Sequence, residues 1–303
     1  MSAATDASNL QDDDLDTLLD RRSAWEKTKG LAKKNPLGAF GFGVVLLMVF
    51  MALFADVITM YDPEDISFGD MLVSPNFDFL LGTDQLGRDI FTRIVYGART
   101  ALLVGITASV VGAFIGLILG VASAYFGGTF DLLFQRFMDV FMAFPLIILA
   151  LAIVSIFGGG IDKVILAITI PFIPRCARVV RSNALAIREI PYVDAARAMG
   201  FSHSRIILRH MVPNVMAPFL IMITAFVGQA ILTEASLSYL GMGVQEPTPA
   251  WGLMLQGGAE EYAESAPWVP IFPGVAITLA VFGFNLFGDA VRDTLDPRLR
   301  SQQ

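Results

Sequence analysis

Few residues in this chain are of a type that could make or break a bond, and their spacing argues against it. The only histidines, His203 and His210, stand seven apart, which is not a zinc-helix spacing. Cys176 is the one cysteine, so no internal disulfide can form. No Gly-x-x-x-x-Gly-Lys-Ser/Thr run is present to cradle nucleotide phosphates, and no Gly-x-Ser-x-Gly elbow is present to expose a serine. Gly158-Gly159-Gly160 reads as a turn. No catalytic residue can be defended, and no metal or cofactor ligand. The chemically notable groups are instead two carboxylates inside apolar runs. Asp139 has Arg136 one helical turn away as its expected partner. Glu234 sits deeper, where a charge costs about 2.5–3.5 kcal/mol on insertion scales. It must face the bundle interior, a partner helix or water, or carry a proton. It is either a pathway or gate group or a hydrogen-bonded anchor beside Ser236 and Ser238.

The most patterned polar segment is 181–214. Pro191 suits the first turn of a helix. Tyr192, Ala195, Ala196 and Met199 then recur at i, i+3, i+4 and i+7, a one-sided apolar face. Asp194 lies near the positive end of that helix, and Gly200 stands where a stop is wanted. Ser202 can cap a second helix carrying Ile206, Ile207 and His210, which Pro213 ends. A small-residue face in water seeks a groove in a partner or packs on its own chain.

The elements that position these groups must be membrane helices. The 303 residues are 55% hydrophobic and 16% charged, with mean hydropathy +0.63. A soluble domain carries about 25% charged residues. Net charge −7 argues against a nucleic-acid partner. Six apolar segments are predicted: 37–59, 100–126, 137–157, 164 to about 175–180, 215–239 and 269–287. The first would be about 35 Å of helix, against a hydrocarbon core of about 30 Å. The charged first 36 residues lack an apolar segment in their first 30, so no cleaved signal peptide is expected. Their basic part, Arg21 to Lys34, suits the inner side of a membrane. With both termini inside, seventeen lysines and arginines fall on the inner side and four outside. Arg88, Arg93 and Arg99 are the outer cluster, expected on a short interfacial helix reaching headgroups. Gly112, Gly116 and Gly120 repeat every four residues, for close helix packing or for a helix that moves. Trp251 in the outer loop 241–267 and Trp268 just after it are expected interface anchors or parts of a docking surface.

Asp194-Ala195-Ala196, Gly200 and Val212-Pro213 resemble the "EAA" loop of ABC importer permeases, with Asp for Glu, His210 for Ile and Val212 for Leu. The segments 81–99, 125–131, 231–252, 266–268, 272–274 and 284–298 look like the C-type permease subunit of dipeptide/oligopeptide importers. This resemblance implies an all-α integral membrane protein of the type I ABC importer kind, with six transmembrane helices and a cytoplasmic coupling-helix loop. The division expected is a tail 1–36, a first helix and external loop 37–99, a core 100–288 containing the coupling loop 181–214, and a tail 289–303. It implies a cell-membrane, multi-pass, non-catalytic subunit with both termini cytoplasmic. It implies a heterodimer with a second, B-type permease, two ATP-binding subunits that hold the ATP and magnesium, and an extracellular solute-binding protein. The residues it implies for ATPase coupling are Tyr192, Asp194, Ala195, Ala196, Met199, Gly200 and Pro213. The implied cargo is a di- or oligopeptide, with nickel or another small solute as the alternative. A self-powered secondary transporter would need several buried ionisable groups or a repeated half. The sequence has one clear buried acid and no internal repeat.

Overall fold

Long apolar runs broken by glycine and proline become helices, and every named element of the computed structural model is helical. It describes residues 35–258 and 261–295. Nearly all of the expected tail 1–36, residues 259–260 of the expected outer loop and the end of the expected tail 289–303 lie outside the described residues. Helix α1 is Pro36–Ile58, capped by the Asn35 side chain, which accepts from Gly38 N at 3.0 Å. Helix α2, Ile90–Phe126, has 37 residues and is capped by Asp89, which accepts from Thr92 N at 2.8 Å. It starts ten residues before the expected span and ends at Gly127, whose φ of +63° suits only glycine.

The third expected span is not one rod. Helix α3, Gly128–Met142, and helix α4, Leu146–Phe157, meet at an 86° bend. Pro145 cannot donate to the ladder and disfavours helical geometry at the residue before it, so the chain turns there. The fourth expected span is much longer than the apolar stretch that suggested it. Helix α5 runs Ile161–Arg188 through Pro171 and Pro174, carrying Arg175, Arg178 and Arg181 inside the helix rather than in a loop. The expected loop 181–214 therefore begins after Arg188. Helix α6 is Pro191–Ala198 and helix α7 is His203–Ile206. A π turn, Ile207–Met211, and a 3-10 turn, Val212–Val215, lead into helix α8, Met216–Tyr239. Pro213 does not end the second helix: the stretch His203–Tyr239 is one apolar helical run, because the wide π turn absorbs the missing donor. Helix α9 is Trp251–Gly258 and helix α10 is Trp268–Leu295.

Four helical runs among the described residues are long and apolar enough to cross a membrane: α1, α2, the run into α8, and α10. The bent α3–α4 pair makes a fifth. Helix α5 is long enough, at about 42 Å, but its four arginines set it apart. It lies in the middle of the fold, running parallel to α2. A Cβ on Gly116 would come within 2.7 Å of Cys176 Cβ, and one on Gly120 within 2.5 Å of the Ala177 carbonyl oxygen. The glycine row thus serves close packing within the chain. Phe172 of α5 stacks on Phe226 of α8 at 4.2 Å. Helix α1 crosses α10 where Gly41 meets the backbone of Gly283 and Phe287.

The helices sort the connections to two ends. Asn35 bonds Asp293, and Arg188 bonds the Ala124 carbonyl, at the end that carries α6. Arg99 pairs with Asp56, Gly160 N bonds the Gly243 carbonyl, and Trp268 bonds the Thr83 carbonyl at the end that carries α9.

Candidate functional site

At the α6 end, Pro191 opens a two-turn helix whose residues divide sharply. Val193 and Ala196 are buried, while Tyr192, Ala195 and Met199 are exposed, Met199 by 68%. The four-residue apolar face expected from spacing is therefore split. Ala196 joins Val193 in holding α6 to the bundle, and Tyr192, Ala195 and Met199 form the outward surface. Asp194 stands in the first turn and pairs with Arg197 at 3.0 Å. Gly200 closes the helix at φ +76°, and nothing lies within 4 Å of where its Cβ would be. Its requirement is conformational rather than spatial.

Side chains fasten this surface to the long helices. Tyr192 Oη donates to the His210 carbonyl at 3.0 Å, and Asn214 Nδ2 donates to the same carbonyl at 2.7 Å. The π turn and Pro213 give that carbonyl to side chains. Tyr125, at the end of α2, bonds His203 Nδ1 at 2.7 Å, and Arg197 lies over its ring at 5.1 Å. Ser202 caps α7, accepting from Arg205 N. Between these groups lies an open hollow of about 660 Å³, bordered by Tyr125, Phe126, Arg188, Asp194, Arg197 and His203. Among the described residues no cluster of histidine, cysteine and carboxylate suits a metal ion. The arrangement presents an outward surface of Tyr192, Ala195 and Met199 beside the Asp194–Arg197 pair, fastened by side chains to α2 and to the turn that leads into α8.

Glu234 of α8 is 1% exposed and accepts from Ser238 Oγ at 2.7 Å, while Val244 N donates to that same hydroxyl. Ser236 bonds the Leu232 carbonyl instead. The carboxylate borders neither hollow described here. It ties the end of α8 to the loop that follows.

Sequence reasoning missed a line of charge between α3 and α5. Arg181 Nε donates to Asp131 at 2.6 Å, Arg178 pairs with Asp139, and Ser123 bonds Asp131. Arg136, the expected partner of Asp139, is at 3.6 Å and secondary. Arg175 donates to Gln229 of α8 at 3.1 Å. Several of these groups border a second hollow of about 470 Å³. The clue lay in the i, i+3, i+6 spacing of the three arginines, obscured because a hydropathy reading ends a span at its first charge.

Two of the three arginines expected to reach headgroups are buried in the protein instead. Arg88 and Arg93 are 4% and 0% exposed. Arg88 holds Asp84 at 2.7 Å and Glu246 at 2.9 Å, and Arg93 donates to the Pro63 carbonyl. Arg99 pairs with Asp56. Nearby carboxylates and a carbonyl take up Arg88 and Arg93, and the cluster pins the segment before α2 to the loop after α8. Trp251 and Trp268 are likewise used inside the fold, donating to the carbonyls of Ile94 and Thr83.

Comparison with known proteins places these features. Residues 112–301 match the family described as binding-protein-dependent transport system inner membrane component, and residues 31–75 match the N-terminal TM domain of oligopeptide transport permease C. The chain is 42% identical over 280 residues to the dipeptide transport system permease protein DppC of Alkalihalophilus pseudofirmus, covering 92% of this chain and 91% of that one. It is 41% identical to the glutathione transport system permease protein GsiD of Escherichia coli, covering 92% of each. A Brucella abortus protein provisionally named a peptide transport system permease is 44% identical, over 87% of this chain and 89% of that one. In fold it resembles a chain of the inward-facing MetNI methionine ABC transporter, with TM-score 0.55 and 20% identity, over 68% of this chain and 98% of that one.

Proposed function

The chain belongs to the binding-protein-dependent transport system inner membrane components, and on that premise we propose that it forms half of the translocation path of an ATP-driven peptide importer. The observation that carries this reading is identity above 40% with dipeptide and glutathione permeases across about nine-tenths of both chains. The other half is a similar but distinct permease. Six crossings are assigned to α1, α2, the α3–α4 pair, α5, α8 and α10. Both termini and α6 lie in the cytoplasm, in keeping with the bias of fourteen basic residues to four that remains once Arg175, Arg178 and Arg181 are counted with α5.

Helix α6 is the coupling helix. Its exposed Tyr192, Ala195 and Met199 enter a cleft of an ATPase subunit, while Val193 and Ala196 root it in the bundle. Two such subunits bind the ATP and magnesium. When they close, the push reaches α2 through Tyr125–His203 and α8 through Tyr192–His210. The helices then rock as rigid bodies and open the path to the outside, where a solute-binding protein delivers the peptide. Hydrolysis resets the cycle.

The test is purification in mild detergent with the neighbouring transport genes co-expressed, followed by uptake of labelled peptide into vesicles. Retained ATPase subunits and uptake that needs both ATP and the binding protein are expected. Uptake by this chain alone would place it among self-powered carriers instead.

A further inference from the structure

Arg175 is the arginine of α5 that carboxylates leave alone. Among the described residues Arg178 pairs with Asp139, Arg181 with Asp131 and Arg188 with Glu189. Arg175 donates to the neutral amide oxygen of Gln229 at 3.1 Å, and among the described residues it has no carboxylate partner. Its positive charge is therefore unneutralised by the described residues.

The α2–α5 seam fixes its depth. Gly112 and Gly116 meet Thr169, Phe172, Ile173 and Cys176. Those glycines lie at the centre of the uncharged stretch 100–126 of α2. Arg175 is thus within about one helical turn of the middle of that stretch. Gln229 is likewise near the middle of α8. Both side chains are only partly covered. A guanidinium with open surface at that depth does not face lipid tails; it faces water or another protein surface.

We propose that Arg175, oriented by Gln229, lines the translocation path at mid-depth and receives the carboxylate of the passing peptide. This rests on the peptide reading above. Every unblocked peptide ends in a carboxylate, and the guanidinium fork fits that group with two parallel hydrogen bonds. Because Gln229 is neutral, it holds the fork in place without occupying it with charge. The cargo has no resident acid to displace, unlike at Arg178 and Arg181. A single contact of this kind at mid-path binds weakly enough to release.

Two measurements on the complete transporter test this. The first is uptake of one peptide as free acid and as C-terminal amide, in wild type, Arg175→Gln and Arg175→Lys. Any preference of the binding protein is common to all three, so a change in the acid-to-amide ratio isolates residue 175. The ratio is expected to fall about tenfold in Arg175→Gln, the scale of one charge-assisted hydrogen bond, and to recover only in part in Arg175→Lys, which restores the charge but not the fork. An unchanged ratio overturns the proposal.

The second is labelling of Arg175→Cys in a Cys176→Ala background with a charged sulfonate thiol reagent. Labelling in the assembled complex, with protection by saturating peptide, is expected. A residue 175 that never labels is sealed against the second permease or lipid, and the proposal fails. A wild-type complex that moves no peptide would overturn the function itself. That failure is distinguishable, because labelling at residue 175 is read without cargo.

Discussion

Ala195 and Ala196 are adjacent in sequence and opposite in surroundings. Ala196 is 4% exposed beneath α6, whereas Ala195 is exposed. Ala196→Trp must overpack a closed site, at a cost of about 1–3 kcal/mol or more, and should lower the yield of folded protein. Ala195→Trp meets only solvent in this chain and should change stability by no more than about 0.5 kcal/mol. It should nevertheless uncouple ATP hydrolysis from uptake, because it blocks the surface offered to the ATPase. Wild-type uptake by Ala195→Trp would remove α6 from the coupling role. Gly200→Val should act between the two, straining the turn by about 1–2 kcal/mol and misdirecting α7 without any clash. The two carboxylates of the outer cluster also differ. Asp84 is 7% exposed at its side chain and Glu246 49%. Asp84→Asn should cost about 3 kcal/mol by stranding buried arginine charge, and Glu246→Gln about 1 kcal/mol or less after solvent screening. Thermal unfolding in detergent will rank them. At this scale the chain was legible where a residue's role is local. Pro191, Asp194, Gly200 and Ser202 stand in the cap and turn positions their types suggest. The burial of Ala196 and of Arg93 was not legible, because it depends on what packs from elsewhere in the chain.

Helices are held to one another here by absence of side chain. A Cβ on Gly116 would press on Cys176 Cβ at 2.7 Å and the Ile173 carbonyl at 2.8 Å, whereas Gly43 of α1 has open space. Gly116→Leu should therefore abolish the monodisperse peak in size-exclusion chromatography, and Gly43→Leu should leave it intact. Equal loss in both would mean that the seam is not what organises the core. The apolar stretches gave the centres of α1, α2, α8 and α10 correctly because hydropathy is a local sum. It failed for α5 because Asp131, which neutralises Arg181, is fifty residues away in sequence. Charge compensation over that distance leaves no trace in a sliding window. The bend between α3 and α4 had a visible cause in Pro145, but a proline can equally kink a span without breaking it. Pro171 and Pro174 lie inside α5, where the helix continues through both.

At the scale of the whole molecule, much apolar surface remains uncovered. Leu37, Leu47, Leu53, Phe114 and Ile118 are each about half exposed or more. Such a surface is stable only against lipid or another apolar helix. The isolated chain should therefore stay in the membrane pellet after alkaline carbonate washing, and so should Ala195→Trp. Release of that variant by the wash would show that its defect lies in insertion rather than coupling. The family assignment was legible from motifs spread over the chain, since several of those motifs serve contacts visible in the fold. The segment 81–99 builds the arginine cluster, and 231–252 carries Glu234, Ser238 and Glu246.

Helix α2 joins that cluster at its first turns to the Tyr125–His203 contact at its last, without a break. Its 37 residues make a stiff lever of about 55 Å. A tilt of about 5° about one end would swing the other by about 5 Å, nearly a full helical pitch. No joint interrupts the helix, so under the coupling proposed above a modest displacement at the α6 end is carried whole to the ionic clasp at its other end.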